Sequence, residues 1–475
     1  MIRTDIPQRL DRLPWSRWHW RIVTALGVTW ILDGLEVTIV GALGATLTSP
    51  STLNLSEPEV GLTASAYLLG SVTGALIFAN LTDRQGRKKW FLLTLVLYVI
   101  ATMLTAFSWN LWSFMVFRFL TGMGIGGEYA AVNSAIDELI PARVRGQTDL
   151  AINGSWWFGT AVGALLTVLL LNPKVIPESV GWRLCFLLGA VLSVGILLVR
   201  QAMPESPRWL MTHGKTQEAE EIVRDIEHTV MKQMGLDQLP PPAGFITMQA
   251  SLPVTFVTVW RELLRSYPTR TLLGSTLMTA QSFLYNAIFF TYALVLSKFY
   301  GVAPGWVGLY IIPFAIGNFL GPLVLGRFFD SVGRKSMIAL TYGLSGTLLA
   351  LTGYLFWQGY LTAFTQTLAW CLIFFFASAG ASAAYLTVSE LFPLEIRATA
   401  IAIFFVLAQG ISALGPWLFG HLIAGSARDV FYGNLFGAAA MLTGSIVALR
   451  FGVSAERQPL EHIAPPLSCR DTHTT

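Results

Sequence analysis

The chain has 475 residues, 54% of them hydrophobic and 12% charged, with a formal net charge of +4. A soluble domain carries about 25% charged residues. This composition therefore argues against a water-soluble enzyme or nucleic-acid-binding module and describes an integral membrane protein that needs the lipid bilayer as solvent. The three cysteines, Cys185, Cys371 and Cys469, lie far apart, so no disulfide framework, metal centre or other cofactor is expected.

In chain order, residues 1–20 form a basic N-terminal segment. Apolar runs of about 20 residues then predict spans near 21–47, 59–82, 90–108, 112–139, 148–171 and 182–202. Residues 203–270 interrupt them with KTQEAEEIVRDIEHTVMKQ, which has helical charge spacing, and the breaker LPPPAG. Six further spans are expected near 271–299, 304–328, 336–357, 364–392, 399–424 and 431–451, before a polar tail, 452–475, expected to be disordered. The first run is far longer than the 7–15 apolar residues typical of a signal peptide, and it is expected to stay in the mature chain. The predicted fold is thus an all-α membrane protein of twelve transmembrane helices. Two six-helix bundles, 21–202 and 271–451, are joined by a linker, 203–270, that contains one short helix.

Lys and Arg set the orientation. Of the 31, only Lys174, Arg183, Lys298 and Arg428 fall on the side opposite the N-terminus, and Arg118 lies inside a span. The positive-inside rule then places both termini in the cytoplasm of a plasma membrane, or of the inner membrane in a bacterium.

Two motifs recur. DRQGRKK (83–89) is echoed by DSVGRK (330–335), and ELIPARVRG (138–146) by ELFPLEIRA (390–398). Both copies of the latter have the spacing E-x-x-P-x-x-x-R. Different motifs recurring at nearly one offset indicate duplicated halves.

The costliest residues lie in the middle of the first span. Asp33 and Glu36 in WILDGLEVTIVG share one helix face, and a charge at the bilayer centre costs about 2.5–3.5 kcal/mol on insertion scales. Span 4 carries Arg118. Glu128, ten residues on, is about 15 Å away along the helix and out of direct reach. That leaves Asp33 or Glu36 as the partner of Arg118.

These features resemble the major facilitator superfamily. RFLTGMGIGGE (118–128), the paired E-x-x-P-x-x-x-R motifs and PESPRWL (204–210) resemble its sugar porters and bacterial metabolite–proton symporters. RLDRLPWSRWHWRI (9–22) resembles the symporter branch, which is akin to the synaptic-vesicle-glycoprotein and organic-ion transporters. The resemblance implies alternating access between two bundles, with a monomer as the default state. GLEVTIVG (34–41) is similar to the sugar-porter pattern in span 1. That similarity assigns proton binding to Glu36 and its pairing to Arg118, with Asp33 a second proton site, a substrate contact or a packed polar residue. A neighbouring guanidinium favours a carboxylate and burial disfavours it, so an acid held between these effects can take a proton on one side and release it on the other. The bland alternative is a static ion pair. Asp83, Arg87 and Lys88 in one half and Asp330, Arg334 and Lys335 in the other are implied to pair with Glu138 and Glu390 as a cytoplasmic gate. Arg145, Arg397, Glu205 and Arg208 join the same gating set. The alternative for all of these is that they only set topology.

Substrate residues follow the same resemblance. In QSFLYNAIFF (281–290), Gln281 and Asn286 match polar positions of the sugar-porter pattern, while Ala280, Leu284, Phe289 and Phe290 replace its Gln, Gly and two Tyr. Asn153 matches a sugar-binding Gln. The lost groups are those that read hydroxyls, which are costly to bury unpaired. Trp157, Tyr285, Phe290 and Tyr385 then suit an aromatic or amphipathic solute. The expected function is proton-coupled symport of a small organic metabolite, such as an aromatic acid. A sugar or polyol carrier, a proton-antiport exporter and a non-transporting sensor are the competing readings.

Overall fold

The computed structural model describes residues 2–201, 204–242, 244–248, 256–392 and 394–453. On the side of the N-terminus, β1 (Ile2–Thr4) and α1 (Ile6–Asp11) precede the first long helix. The first bundle comprises α2 (Arg17–Leu47), α3 (Glu57–Gln85), α4 (Arg87–Ala106), α5 (Leu111–Leu139), α6 (Ala142–Leu170) and α7 (Glu178–Gln201). The connection holds α8 (Pro207–Thr212), α9 (Thr216–Met234), β2 (Ile246–Met248) and α10 (Phe256–Ser266). The second bundle comprises α11 (Pro268–Phe289), α12 (Tyr292–Tyr300), α13 (Pro304–Ser331), α14 (Arg334–Trp357), α15 (Ala363–Leu391), α16 (Leu394–Ser412), α17 (Leu414–Ala424) and α18 (Ala427–Phe451).

Among the described residues, nine helices are long and apolar enough to cross a membrane, and the bent pair α11 and α12 makes a tenth. Helices α5 and α6 stand where spans 4 and 5 are expected, so the chain has twelve spans. Helix starts follow local chemistry. The Ser56 backbone N–H and hydroxyl both donate to Glu59 at 2.8 Å, closing a capping box at the start of α3, and Ser426 and Asp429 do the same for α18. The repeated loop glycines Gly86 and Gly333 turn the chain at φ +99° and +109°, a region that a Cβ disfavours.

Within the first bundle, α2 packs on α6 and α7, and α5 lies between α3 and α4. In the second, α13 packs on α15, and α14 on α15 and α18. The bundles meet where α3 crosses α16 and α17, where α6 runs along α13, and where α2 touches α12 and α13.

Three features go beyond the sequence expectation. First, residues 2–13 of the N-terminal segment are docked on the connection between the bundles. β1 pairs antiparallel with β2 in the register Ile2–Met248, Arg3–Thr247, Thr4–Ile246. Ile6, Leu10 and Leu13 pack into one cluster with Leu210, Met211, Val223, Ile226 and Val230. Arg9 grips Glu227 at 2.7 and 3.0 Å and Glu220 at 2.6 Å, while Arg12 reaches Glu227 at 2.7 Å. Burial pushes the Glu227 carboxyl up, but the hydrogen bonds from Arg9 and Arg12 outweigh it and hold the group below the usual carboxylate range.

Second, the connection contains three helices rather than one. Third, the seventh span is broken, and the eleventh carries a one-residue interruption without a comparable bend. The seventh bends by 44° between α11 and α12, where the Thr291 hydroxyl takes the carbonyl of Ala287 and competes with the helix ladder. The eleventh is interrupted at Ala413. There, Pro416 has no N–H to offer the carbonyl of Ser412.

Candidate functional site

The first bundle buries a charged centre. Arg118 of α5 is fully buried and donates through Nη1 to Glu36 Oε1 of α2, itself 2% exposed. The guanidinium also lies over the ring of Tyr67 of α3, 4.4 Å from its centroid, a cation–π geometry strengthened by desolvation. Phe186 of α7 lies on a further side at 5.9 Å, and Tyr98 of α4 stands beside Glu36. The pair is incompletely satisfied. Glu36 Oε2 and Arg118 Nε and Nη2 are buried with no hydrogen-bond partner. A buried ion pair relies on such remaining bonds to repay desolvation, which makes Tyr98, beside Glu36, part of the pair's setting.

Asp33, one turn before Glu36, has a different setting. Trp156 Nε1 of α6 donates to its Oδ2 at 2.7 Å, and the Tyr67 hydroxyl faces its Oδ1 at 3.3 Å. Gly34 permits this arrangement, because a Cβ there would lie 2.1 Å from the Trp156 carbonyl oxygen. Tyr67 thus touches both acids' settings, with its hydroxyl on Asp33 and its face under the cation that holds Glu36. Of the two partners left open for Arg118, the structure pairs it with Glu36.

Aromatic side chains continue from this centre across the bundle interface. Trp156 meets Trp157 edge-on at 4.6 Å and Phe289 of α11 at 5.9 Å, and Tyr67 meets Phe290 at 6.2 Å. Phe289 leads on to Phe314, Phe314 to Phe374, and Phe374 to Tyr285.

The second bundle supplies neutral polar groups. Asn286 donates to Gln409 Oε1 and to the Ser412 hydroxyl, both at 2.8 Å. The Tyr285 hydroxyl donates to Asn318 at 2.6 Å, and Ser378 donates to the Asn318 carbonyl at 2.8 Å. Gln281 donates to Ser282 at 3.0 Å, with Tyr385, 39% exposed, beside it. Sequence reasoning missed Tyr67, Tyr98, Asn318, Gln409 and Ser412. The available signal was a hydrogen-bonding side chain inside an apolar run.

Of the gating residues, Glu205 accepts from the backbone N–H of Lys88 at 3.2 and 3.3 Å and from Ser206 N–H at 3.0 Å, so it closes the start of α4. Arg334 and Lys335 open α14 and are half-buried. The side chains of Asp83, Arg87, Glu128, Glu138, Arg145, Asn153, Arg208, Asp330, Glu390 and Arg397 lie outside the described residues. On the face opposite the N-terminus, an ion pair not expected from the sequence joins the two bundles. Lys298 of α12 lies 3.3 Å from Glu57 of α3 and donates to the Ala424 carbonyl of α17 at 2.9 Å.

The sugar (and other) transporter family matches residues 37–466. Curated relatives include the niacin transporter NiaP of Acinetobacter baylyi, 28% identical over 83% of this chain and 85% of that protein. The putative metabolite transport protein YdjK of Escherichia coli is 29% identical over 96% and 97%. Among solved structures, the partially occluded, inward-open conformation of the Escherichia coli xylose transporter XylE superposes with a TM-score of 0.74 at 18% identity, covering 94% of this chain and all of that one. A crystal structure of a D-xylose–proton symporter gives 0.72 at 18%, covering 92% and 99%. The fold and the family match agree: the chain belongs to the sugar (and other) transporter family of the major facilitator superfamily, and it is a multi-pass membrane transporter.

Proposed function

We propose that this transporter couples the entry of a small aromatic metabolite, with an aromatic carboxylate as the preferred class, to protons moving through Glu36. The observation that carries this reading is the buried, incompletely satisfied Glu36–Arg118 pair. A proton on Glu36 removes its charge and leaves Arg118 among aromatic faces and a neutral carboxyl. The guanidinium then needs a new counter-charge, and an anionic substrate supplies one, so proton and carboxylate enter together. The run from Trp157 through Phe289, Phe290 and Phe314 offers stacking surface for a ring. The polar cluster of Asn286, Gln409 and Ser412 offers amide and hydroxyl groups at the other bundle.

The relative named as a niacin transporter makes nicotinate the first probe. The N-terminal face is cytoplasmic in this reading, the membrane is the cell membrane, and Asp83, Arg87, Lys88, Glu138, Asp330 and Glu390 belong to the inner gate. A polyol reading draws on the same Asn286–Gln409–Ser412 cluster.

The test is uptake by proteoliposomes of labelled nicotinate, benzoate, xylose and sorbitol, with an inward or an outward proton gradient. Accumulation of an aromatic acid that follows an inward gradient and is lost in Glu36→Gln supports the proposal. Accumulation of xylose alone, or uptake driven only by an outward gradient, would replace it with a sugar carrier or an antiporter.

A further inference from the structure

Helix α10, which leads into the seventh span, packs Val259 and Leu263 against the second bundle. It contacts α16, the half of the eleventh span on the N-terminal face. The rest of its circumference is graded. At 3.6 residues per turn, Val257 and Leu264 fall within about 20° of each other on one shoulder of the buried face. They are 65% and 49% exposed. Arg261 and Arg265, both exposed, lie about 70° further round. Glu262 is beyond them, nearer the far edge. Going round the helix, the order is therefore protein, apolar, basic.

Two residues after α10 ends, the transmembrane helix α11 begins at Pro268, and Leu272 in its second turn is 47% exposed. Leu264 on that shoulder is thus four residues from the start of a span. Water is a poor match for Val257 and Leu264, and hydrocarbon is a poor match for Arg261 and Arg265. The boundary between acyl chains and headgroups suits both.

We propose that α10 lies in the membrane interface and binds anionic phospholipid, with the acyl–glycerol region against Val257 and Leu264 and the phosphate between Arg261 and Arg265. Guanidinium groups suit this role because their planar forks can donate two hydrogen bonds to one phosphate. Bound lipid then holds α10 against α16 and fixes the angle at which the chain enters the seventh span. Which leaflet supplies the lipid follows from the orientation given above, whereas the binding itself does not depend on it.

The full chain in detergent is titrated with dihexanoylphosphatidylglycerol, with dihexanoylphosphatidylcholine or with inorganic phosphate, and the thermal midpoint is followed. Phosphatidylglycerol is expected to raise it at lower concentration than phosphatidylcholine does. Each arginine near an anionic lipid contributes about fivefold in affinity, so Arg261→Gln with Arg265→Gln should shift the half-maximal phosphatidylglycerol concentration about thirtyfold. Arg261→Lys with Arg265→Lys keeps the charge and should retain part of the response while losing the share that the two-bond forks supply, and Leu264→Ser should weaken both lipids alike. These two variants also report if the glutamine pair does not fold. An unchanged phosphatidylglycerol response in the glutamine pair, or no preference over phosphatidylcholine in the wild type, overturns the proposal. Stabilisation by inorganic phosphate alone, lost in the same variants, would show a soluble-anion site instead.

Discussion

At the residue scale, the chemistry of the site rests on very few charges. Arg118, Glu36 and Asp33 are set in a bundle core where each must be held by a partner, and the structure gives each a distinct one. Removing Glu36 alone leaves a buried guanidinium uncompensated, whereas Glu36→Gln keeps shape and a hydrogen-bond acceptor. Glu36→Gln is therefore expected to fold, to keep substrate exchange at equal pH, and to lose accumulation driven by a proton gradient, as measured by counterflow and uptake in proteoliposomes. Glu36→Leu should instead destabilise the protein by about 3–5 kcal/mol, the usual result of breaking a buried ion pair, read as a lower thermal midpoint. Trp156→Phe removes the 2.7 Å bond to Asp33. It should lower stability by about 1–3 kcal/mol, the range for a buried polar group that loses a partner.

The Glu36–Arg118 pairing was legible in the sequence because intramembrane charges are rare and their possible partners few. The setting of Asp33 was not. It depends on where an indole N–H and a phenol hydroxyl point, and one sequence does not fix rotamers or the crossing of α2 and α6. Gln409 and Asn318 were overlooked for a related reason: a lone amide in an apolar run is conspicuous only once its partner helix is known.

At the element scale, the N-terminal segment and α9 form a unit with its own hydrophobic cluster. Glu227 ties it together by taking both Arg9 and Arg12. The Glu227 carboxyl is held below its usual range in the fold, so its stabilisation is present above the unfolded value, about 4.3. That stabilisation is lost as pH falls through the lower, folded value. Protection of residues 5–13 from hydrogen exchange should accordingly weaken below about pH 4 in the wild type. Glu227→Gln should show weaker protection at neutral pH, with transport retained. Protection that persists at pH 3 and in the variant would mean that Ile6, Leu10 and Leu13 hold the segment by packing alone. Composition could not reveal this docking, because residues 2–13 have no long periodic pattern and their partners lie more than 200 residues away. The break in the seventh span and the interruption in the eleventh carried weak signals in Thr291 and Pro416, and hydropathy averages over both.

At the scale of the whole molecule, α3 and α17 meet across the two bundles on the face away from the N-terminus, and Glu57 and Lys298 bridge them there. Both are partly exposed, so the pair contributes at most about 1 kcal/mol. Glu57→Gln should therefore shift the balance toward the opposite conformation only a few-fold. Spin labels placed across that face would show a modest rise in the long-distance population, and 1 M salt would have the same effect on the wild type. The twelve spans, the family and the orientation expectation all came from hydropathy, repeated motifs and charge placement, which are properties of long stretches. The substrate depends on a few side chains at the bundle interface, where the sequence shows which groups are missing but not the shape they leave.

The most direct test of coupling through Glu36 is proton movement itself. Proteoliposomes loaded with a pH-sensitive dye and held at equal pH receive external nicotinate, or whichever aromatic acid proves to be transported. The account predicts that the lumen acidifies as substrate enters, and that Glu36→Gln, in vesicles also preloaded with the unlabelled acid, exchanges labelled substrate without acidification. Substrate entry with no pH change in the wild type, or acidification that survives in Glu36→Gln, would contradict it.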